Sequence, residues 1–521
     1  MNKINWPKLD SDHLIVYSKH MLEIEDAIFS KGMPEASLME KVGIGISRWL
    51  LDKKNLLKNG VTIIVGPGHN GGDGAVIARE LFLKGIIVSV WCPYPIKKDL
   101  TIKHINYITS IGLKKIIKAP DPKKDDLWID AIFGSNQNRS VDRSIVELFH
   151  NKFNSNCGQI VSIDVPTGLC PNSGIPFSDQ AIKANTTLSV GLKKIGILQD
   201  SAIPYVGEIH NIEIGLITNH FKKFTRKIYS ISYKDINQVN ILLPAKNKSK
   251  YSRGRTLLIA GSEKYPGAAS LVIQGALASG VGSIKALLPK TVAKSIWQVA
   301  PEIVISDCLE NSMGNSLLFN SLKKLDLSLF ESIIIGPGLG IDISDWENSL
   351  KFLLNFKGIL ILDADALNRI AKSEMGCNFF LKREYKTFIT PHFAEFKRLF
   401  PDIKGINKVE LALNAAKKFD LDVLLKGAHS VIAGSNGFAW QIYDTDSDSA
   451  RTGLGDLLAG FVSGMTALEL ASGKEITAES FSKYILLHSY SASNSINGSN
   501  ASIIGKNLSR IVRKIKTGQM S

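Results

Sequence analysis

Cysteine is scarce and never arranged as C-x-x-C; the five residues at 92, 157, 170, 308 and 377 are odd in number and widely scattered. That pattern fits a reducing compartment and argues against a disulfide framework or a zinc site. No run of about 18 apolar residues stands out as a bilayer span. The opening stretch, MNKINWPKLDSDHLIVYSKH, alternates polar and apolar residues and lacks the apolar core and small-residue cleavage site of a secretory signal. We therefore expect a cytoplasmic protein with no membrane association. The pattern G-x-x-x-x-G-K-[ST] occurs nowhere, which argues against a P-loop. Acid is in deficit: 48 Asp and Glu against 63 Lys and Arg give a formal charge of +15. Clustered cations bind polyanions. Here the excess is mostly Lys, spread through short pieces such as LDKKNLLKNG and PDPKKDD without interleaved aromatics or an Arg-rich groove. We expect solvated surfaces and no nucleic-acid partner.

The chain, at 521 residues, is too long for one ordinary core, and 44% hydrophobic with 21% charged content is that of a globular protein. VTIIV at 61–65, a helical pattern near 73–84 and IIVSVW at 86–91 read as strand, helix, strand. DLWIDAIFG and QIVSIDVPTG follow, each an apolar run ending in an acid. In an open parallel sheet the carboxyl ends of strands line the ligand crevice, so Asp130 and Asp164 are expected to meet the glycine loop there. A polar, lysine-rich stretch after about residue 215 reads as a connection, and the alternating pattern then restarts at RTLLIAGS. We place the domains at 1–218 and 219–521, both α/β.

IIVGPGHNGGDG contains Gly66, Gly68 and Gly71 in the spacing G-x-G-x-x-G. A dinucleotide fingerprint also needs an acid at the end of the second strand, and this one ends in WCPYP. Gly71, Gly72 and Gly74 around Asp73 instead offer backbone N–H groups to a phosphate, with Asp73 expected as the helix cap. In the second half, RTGLGDLLAG puts Gly453, Gly455 and Asp456 where a loop becomes an apolar helix. Free N–H groups there make an anion hole, and a neighbouring carboxylate can take a proton from a hydroxyl attacking phosphorus. GPGLG, DADALN, TPHFAEFKRL and LLKGAHS each end a strand-like run. His392, at a helix start after ITP, reads either as a cap or as a ligand.

GPGHNGGDG, WIDAIFGSNQNRSV and VSIDVPTG, in that order, resemble the epimerase domain of the bifunctional NAD(P)H-hydrate repair enzymes, across roughly residues 10–215. The second half resembles the ribokinase-like superfamily and, within it, the ADP-dependent NAD(P)H-hydrate dehydratase, across roughly 225–515. The resemblance implies a Rossmann-like three-layer sandwich followed by a ribokinase-like three-layer sandwich. It places the hydrated cofactor on Asn70, Gly71, Gly72 and Asp73, on Gly134, Ser135, Asn136, Gln137, Asn138, Arg139 and Ser140, and on Asp164. A potassium ion falls on Asn70, Asp130 and Thr167, oxygen ligands suited to a hard cation, with Thr167 where most members have Ser. In the second domain it places the hydrate on Gly267, Ala268, Gly338, His392 and Asp456, and the adenine nucleotide on Lys426, Gly427, Ala428, His429, Ser430 and Gly455. Ser430 stands where Thr is usual, and Leu454 where a smaller or unbranched residue is commoner. The implied chemistry is epimerisation of NADHX and NADPHX followed by ADP- and Mg2+-dependent dehydration, with Asp456 as the base and Asp164 or Asp73 as the epimerase acid/base. A homo-oligomer is expected. A small-molecule kinase acting on a vitamin or sugar alcohol is the rival enzyme reading, and a binding or scaffold module the non-enzymatic one.

Overall fold

The apolar runs that alternate with helical patterns form two separate parallel sheets. The computed structural model describes residues 6–221, 228–241, 249–309, 318–444 and 451–519, so parts of the connecting stretch lie outside the described residues. In the first sheet the strands are β1 (Val61–Val65), β2 (Val88–Trp91), β3 (Lys114–Ile116), β4 (Leu127–Ala131), β5 (Ile160–Ile163), β6 (Thr186–Val190) and β7 (Glu208–Ile212). Their spatial order is β3-β2-β1-β4-β5-β6-β7, parallel throughout.

Every residue of β1 is buried, as a strand covered on both faces must be. Ile63 and Val65 join one core with α1 (Ser18–Phe29), α2 (Glu35–Leu51) and α3 (His69–Leu83) through Met21, Val42, Ile46 and Ala78. Ile64 points the other way, into a core with Trp128, Ile160 and Phe149 of α4 (Arg143–Ser155). The period of two thus makes three layers, and the strand order reverses between β1 and β4, where the loops that follow them part.

The second sheet includes β8 (Arg255–Ile259), β9 (Ser283–Leu288), β10 (Val304–Cys308), β11 (Ser332–Ile335), β12 (Ile359–Leu362), β13 (Thr387–Ile389), β14 (Asp422–Leu425), β15 (Val431–Ala433) and β16 (Ala439–Ile442). They run in the order β10-β9-β8-β11-β12-β13-β14-β15-β16, parallel as far as β14 and antiparallel beyond. β11 and β12 are buried at every position, again the mark of helices on both faces. α5 (Pro266–Ser279) follows β8, α6 (Phe393–Leu399) follows β13, and α7 (Leu454–Ala471) lies against α5. The α5 and α7 backbones touch through glycines: a Cβ added at Gly460 would lie 1.8 Å from the Val272 carbonyl oxygen. Ser463 of α7 also shares a buried hydroxyl hydrogen bond with Thr256 of β8 at 2.7 Å. These contacts fix where the first turn of α7 points.

Two expectations need revision. α7 is 18 residues long and apolar enough by length and composition to cross a membrane, so such a run does exist; 72% of it is buried inside the protein, as a core helix is. The compact units are Lys8–Ile228 on one side and Met1–Pro7 with Tyr229–Ser521 on the other, so the division falls after 228 and not after 218. Stacking explains it: Tyr229 stacks on Trp440 at 6.0 Å between centroids, and Trp440 Nε1 donates to the Trp6 carbonyl at 3.3 Å.

Candidate active sites

In the N-terminal unit a cleft of about 520 Å3 opens at the carboxyl ends of the strands. Of the residues expected there, Asn70, Asp73, Gly134, Ser135, Asn136, Gln137 and Asp164 line it. Gly71 and Gly72 are buried beneath it. Asn138, Arg139 and Ser140 are not among the lining residues.

Asp73 is not a cap. The helix begins at His69, after Gly68, and places Asp73 in its second turn. The reason is close approach: a Cβ on Gly71 would sit 2.1 Å from the Gly66 carbonyl oxygen, so glycine lets the first helical turn press onto the strand end. Asp73 therefore extends into the cleft with no hydrogen bond, and burial, reinforced by Asp164 and Glu25, pushes its carboxyl well above the ordinary range.

Asp164 follows β5 with φ of +68°, a conformation non-glycine residues rarely adopt. Its Oδ2 accepts from the Ser135 amide at 2.7 Å and its Oδ1 from the Val190 amide at 3.3 Å. It also pairs with Lys194, whose Nζ donates to the Val190 carbonyl at 2.6 Å. A carboxylate so committed is fixed in position.

Asp130 does not reach the cleft. It is fully buried, and its oxygens accept from Thr167 Oγ1 at 2.8 Å, the Thr167 amide at 2.9 Å, Ser162 Oγ at 2.9 Å and the Ile132 amide at 3.2 Å. Thr167 Oγ1 in turn accepts from the Phe133 amide at 3.1 Å, so this cluster shapes the loop that carries Gly134. Gln137 ties the same loop down, donating to the Pro166 carbonyl at 3.1 Å and accepting from the Gly168 amide at 2.7 Å. Two cleft residues had no motif to announce them: Lys194 lies beyond the quoted stretches, and Glu25 sits on α1, far upstream of the glycine loop.

In the C-terminal unit the catalytic candidates converge at the carboxyl ends of β12, β13 and β14. Lys426 follows β14, and its Nζ bonds Asp363 Oδ1, at the end of β12, at 2.7 Å. Its backbone pairs with His392, the amide of Lys426 donating to the Pro391 carbonyl at 2.9 Å. Gly453, at φ +90°, turns the chain into α7, whose first turn carries Gly455 and Asp456. A Cβ on Gly455 would stand 3.7 Å from Lys426 Nζ, which places the ammonium beside the free N–H groups of that turn. Burial, with Asp363 adding and Lys426 opposing, pushes Asp456 up to about 6.

His392 acts as the cap of α6: its Nδ1 accepts from the Ala394 amide at 3.1 Å and the Glu395 amide at 3.3 Å, while Glu395 accepts from the His392 amide at 2.8 Å. Nε2 remains on the exposed side, 3.4 Å from Glu395 Oε1. Gly338, at φ +69°, faces Ala268, and no atom lies within 4 Å of a Cβ built on Gly267. Gly427 and Ala428 are exposed, His429 is buried, and Ser430 Oγ closes the loop on the Gly427 carbonyl at 3.1 Å. Asp363 and Asp365 belong to the quoted DADALN stretch yet were assigned no role; Asp365 accepts from the Gly340 amide at 2.8 Å, bracing the GPGLG loop.

A carboxyl-lined crevice on one parallel sheet and a helix-start anion hole beside a carboxylate on another define a two-domain α/β enzyme. Residues 35–196 match the family described as YjeF-related protein N-terminus, and residues 256–514 the family described as NAD(P)H-hydrate dehydratase. A bifunctional NAD(P)H-hydrate repair enzyme, Nnr, of Synechocystis sp. is 35% identical over 87% of this chain and 86% of its own. Nnr of Gloeobacter violaceus is 34% identical over 87% and 89%. The chain belongs to the bifunctional NAD(P)H-hydrate repair enzyme family. Among solved structures, the ADP/ATP-dependent NAD(P)H-hydrate dehydratase of Bacillus subtilis, crystallised with ATP and Mg2+, matches at 25% identity and a TM-score of 0.44, over 54% of this chain and 97% of that one.

Proposed function

We propose that the chain repairs hydrated NADH and NADPH, the N-terminal unit interconverting the two epimers and the C-terminal unit dehydrating one of them at the expense of ADP. The observation that carries this reading is the placement of Asp456. It stands on the first turn of α7, beside Lys426, where a phosphoryl group held by the turn's N–H groups meets a base.

In the dehydration, Asp456 takes the proton of the ring hydroxyl as its oxygen attacks the terminal phosphorus of the nucleotide, and AMP leaves. The phosphate ester then departs as phosphate, pushed by the ring nitrogen, and loss of the adjacent ring proton restores the double bond. Lys426 and the N–H groups of Gly453 to Asp456 would hold the phosphates through charge developed in transfer. Mg2+ bound with the nucleotide would supply positive charge that offsets the phosphates during transfer.

In the epimerisation the ring hydroxyl must leave one face as water and water must return to the other, giving up a proton. Asp73, whose carboxyl burial pushes well up, serves as the acid, and Asp164, held by Lys194, stabilises positive charge on the ring nitrogen as the C–O bond breaks. The side-chain oxygens of Asn70, Asp130 and Thr167 are donors suited to potassium, a hard monovalent cation, and Asp130 is buried with no Lys or Arg partner among the described residues. Asn70, Asp130 and Thr167 would hold the ion, and it supplies fixed positive charge under the loop.

The test is absorbance of reduced nicotinamide on incubating the protein with mixed-epimer NADH hydrate, Mg2+ and ADP or ATP. Complete recovery, faster than spontaneous epimerisation allows, is expected for both activities. A stable phosphorylated product without NADH would establish the kinase reading instead.

A further inference from the structure

The lining of the N-terminal cleft includes five carboxyl residues, Glu25, Asp26, Glu35, Asp73 and Asp164, and two lysines, Lys98 and Lys194. Asp164 is paired with Lys194, Glu35 lies 3.2 Å from His69, and Asp26 is exposed. Glu25, like Asp73, makes no hydrogen bond or ion pair among the described residues, although it faces the cleft. Glu25 and Asp73 reach the crevice from different flanks. Asp73 rises from α3, directly after β1. Glu25 is carried by α1, one turn beyond Met21, whose methyl group lies 3.0 Å from a Cβ built at Gly191 just past β6. β1 and β6 are separated in the sheet by β4 and β5, so the flanks stand roughly 14 Å apart at strand level, with Asp164 at the end of β5 between them.

We infer that Glu25 is the second proton-carrying group of the epimerisation, serving the ring face opposite to the one that Asp73 serves. The inference rests on the proposed epimerase reading. Loss of hydroxide as water consumes a proton on one face, and return of water releases one on the other. A single acid would have to cross the ring plane between the two steps; two acids on different flanks need not. In one direction Asp73 protonates the departing hydroxyl while Glu25 takes the proton of the entering water, and in the reverse direction they exchange roles, so protons balance over each turnover. The surroundings suit this exchange: burial, opposed by Lys194 and reinforced by Asp164, brings Glu25 up to about 7, where it gives and takes a proton with equal ease. Asp26, Glu35 and, from the other flank, Asp73 are the other charged neighbours, and His69 lies 3.2 Å from Glu35.

The experiment follows the interconversion of purified epimers by chromatography, without nucleotide, in full-length wild type, Glu25→Gln and Glu25→Asp across pH 5.5 to 9. In the Gln variant we expect a fall of about 100-fold and loss of the inflection near pH 7, and in the Asp variant partial rate with the inflection kept. ADP-dependent dehydration of the competent epimer should be unchanged in both. A Gln variant that epimerises at the wild-type rate, or one that is slow with its pH profile intact, overturns the inference and reduces Glu25 to packing. If the Gln variant fails to fold, the Asp variant decides: a pH profile unlike the wild type's overturns the assignment. Wild type that interconverts no epimers sinks the epimerase reading itself, before either variant is compared.

Discussion

Replacing Asp456 by Asn should make the C-terminal unit more stable while disabling it. The carboxyl is displaced from 3.8 to about 6, chiefly by burial, because Lys426, its one nearby cation among the described residues, is already bonded to Asp363. Below 3.8 the group is protonated folded or unfolded and costs nothing. Between 3.8 and 6 the folded protein holds a proton that the unfolded chain releases, so stability falls as pH rises. Above 6 the full penalty applies, about 3 kcal/mol for a shift of this size. Asparagine carries no charge and escapes that penalty. At pH 8 the variant should therefore unfold about 5 °C higher than wild type, and at pH 5 roughly half of that gain should remain. The same change removes the base, so ADP-dependent dehydration should fall by at least about 100-fold, with epimerisation intact. Thermal unfolding followed by calorimetry at pH 5 and pH 8, alongside the NADH assay, reads both effects. A variant stabilised equally at the two pH values, or not at all, would refute the burial argument. One that dehydrates at the wild-type rate would refute the assignment of the base.

Other outcomes follow from neighbouring residues. Lys426→Met should weaken nucleotide binding and move the acid limb of the dehydration profile above 6, since Lys426 is the group that lowers Asp456; a rate profile against pH checks the direction. Gly71→Ala forces a methyl to within 2.1 Å of a backbone oxygen that cannot swing away, so we expect a loss of about 3 kcal/mol or more in the N-terminal unit, measured by urea unfolding, with dehydration preserved. Exchanging potassium for choline at constant ionic strength should slow epimerisation, and Asp130→Asn should abolish that difference; epimer ratios against time decide.

The strand-loop-helix alternation was legible because strands buried on both faces are written as unbroken apolar runs, VTIIV and GILIL among them. Glycines told where chains approach, but not which atoms they approach. Gly71 marked a tight turn in the sequence, yet only the contact with the Gly66 carbonyl shows that the helix begins at His69, leaving Asp73 free for the cleft rather than capping. Glu25 was illegible for a different reason: on a 12-residue amphipathic helix an acid reads as solvated surface, and nothing local reports that the helix lies over a crevice built from distant loops, Gly68 to Asp73 and Ile132 to Gln137 among them. His392 shows the reverse case, in which the local signal of a cap was fully expressed in the fold.

The bond from Trp440 to the Trp6 carbonyl joins positions 434 residues apart, and the whole of Lys8–Ile228 lies inside the loop it closes. A growing chain emits Trp6 long before Trp440 and must keep it waiting until Trp440 arrives. Bringing distant ends together costs entropy that grows with the logarithm of the intervening flexible length. If Lys8–Ile228 has already condensed by then, most of that length is no longer flexible, and the first unit shortens the search that the second must make. On that order of events the chain left to search between Trp6 and Trp440 is the shorter for it.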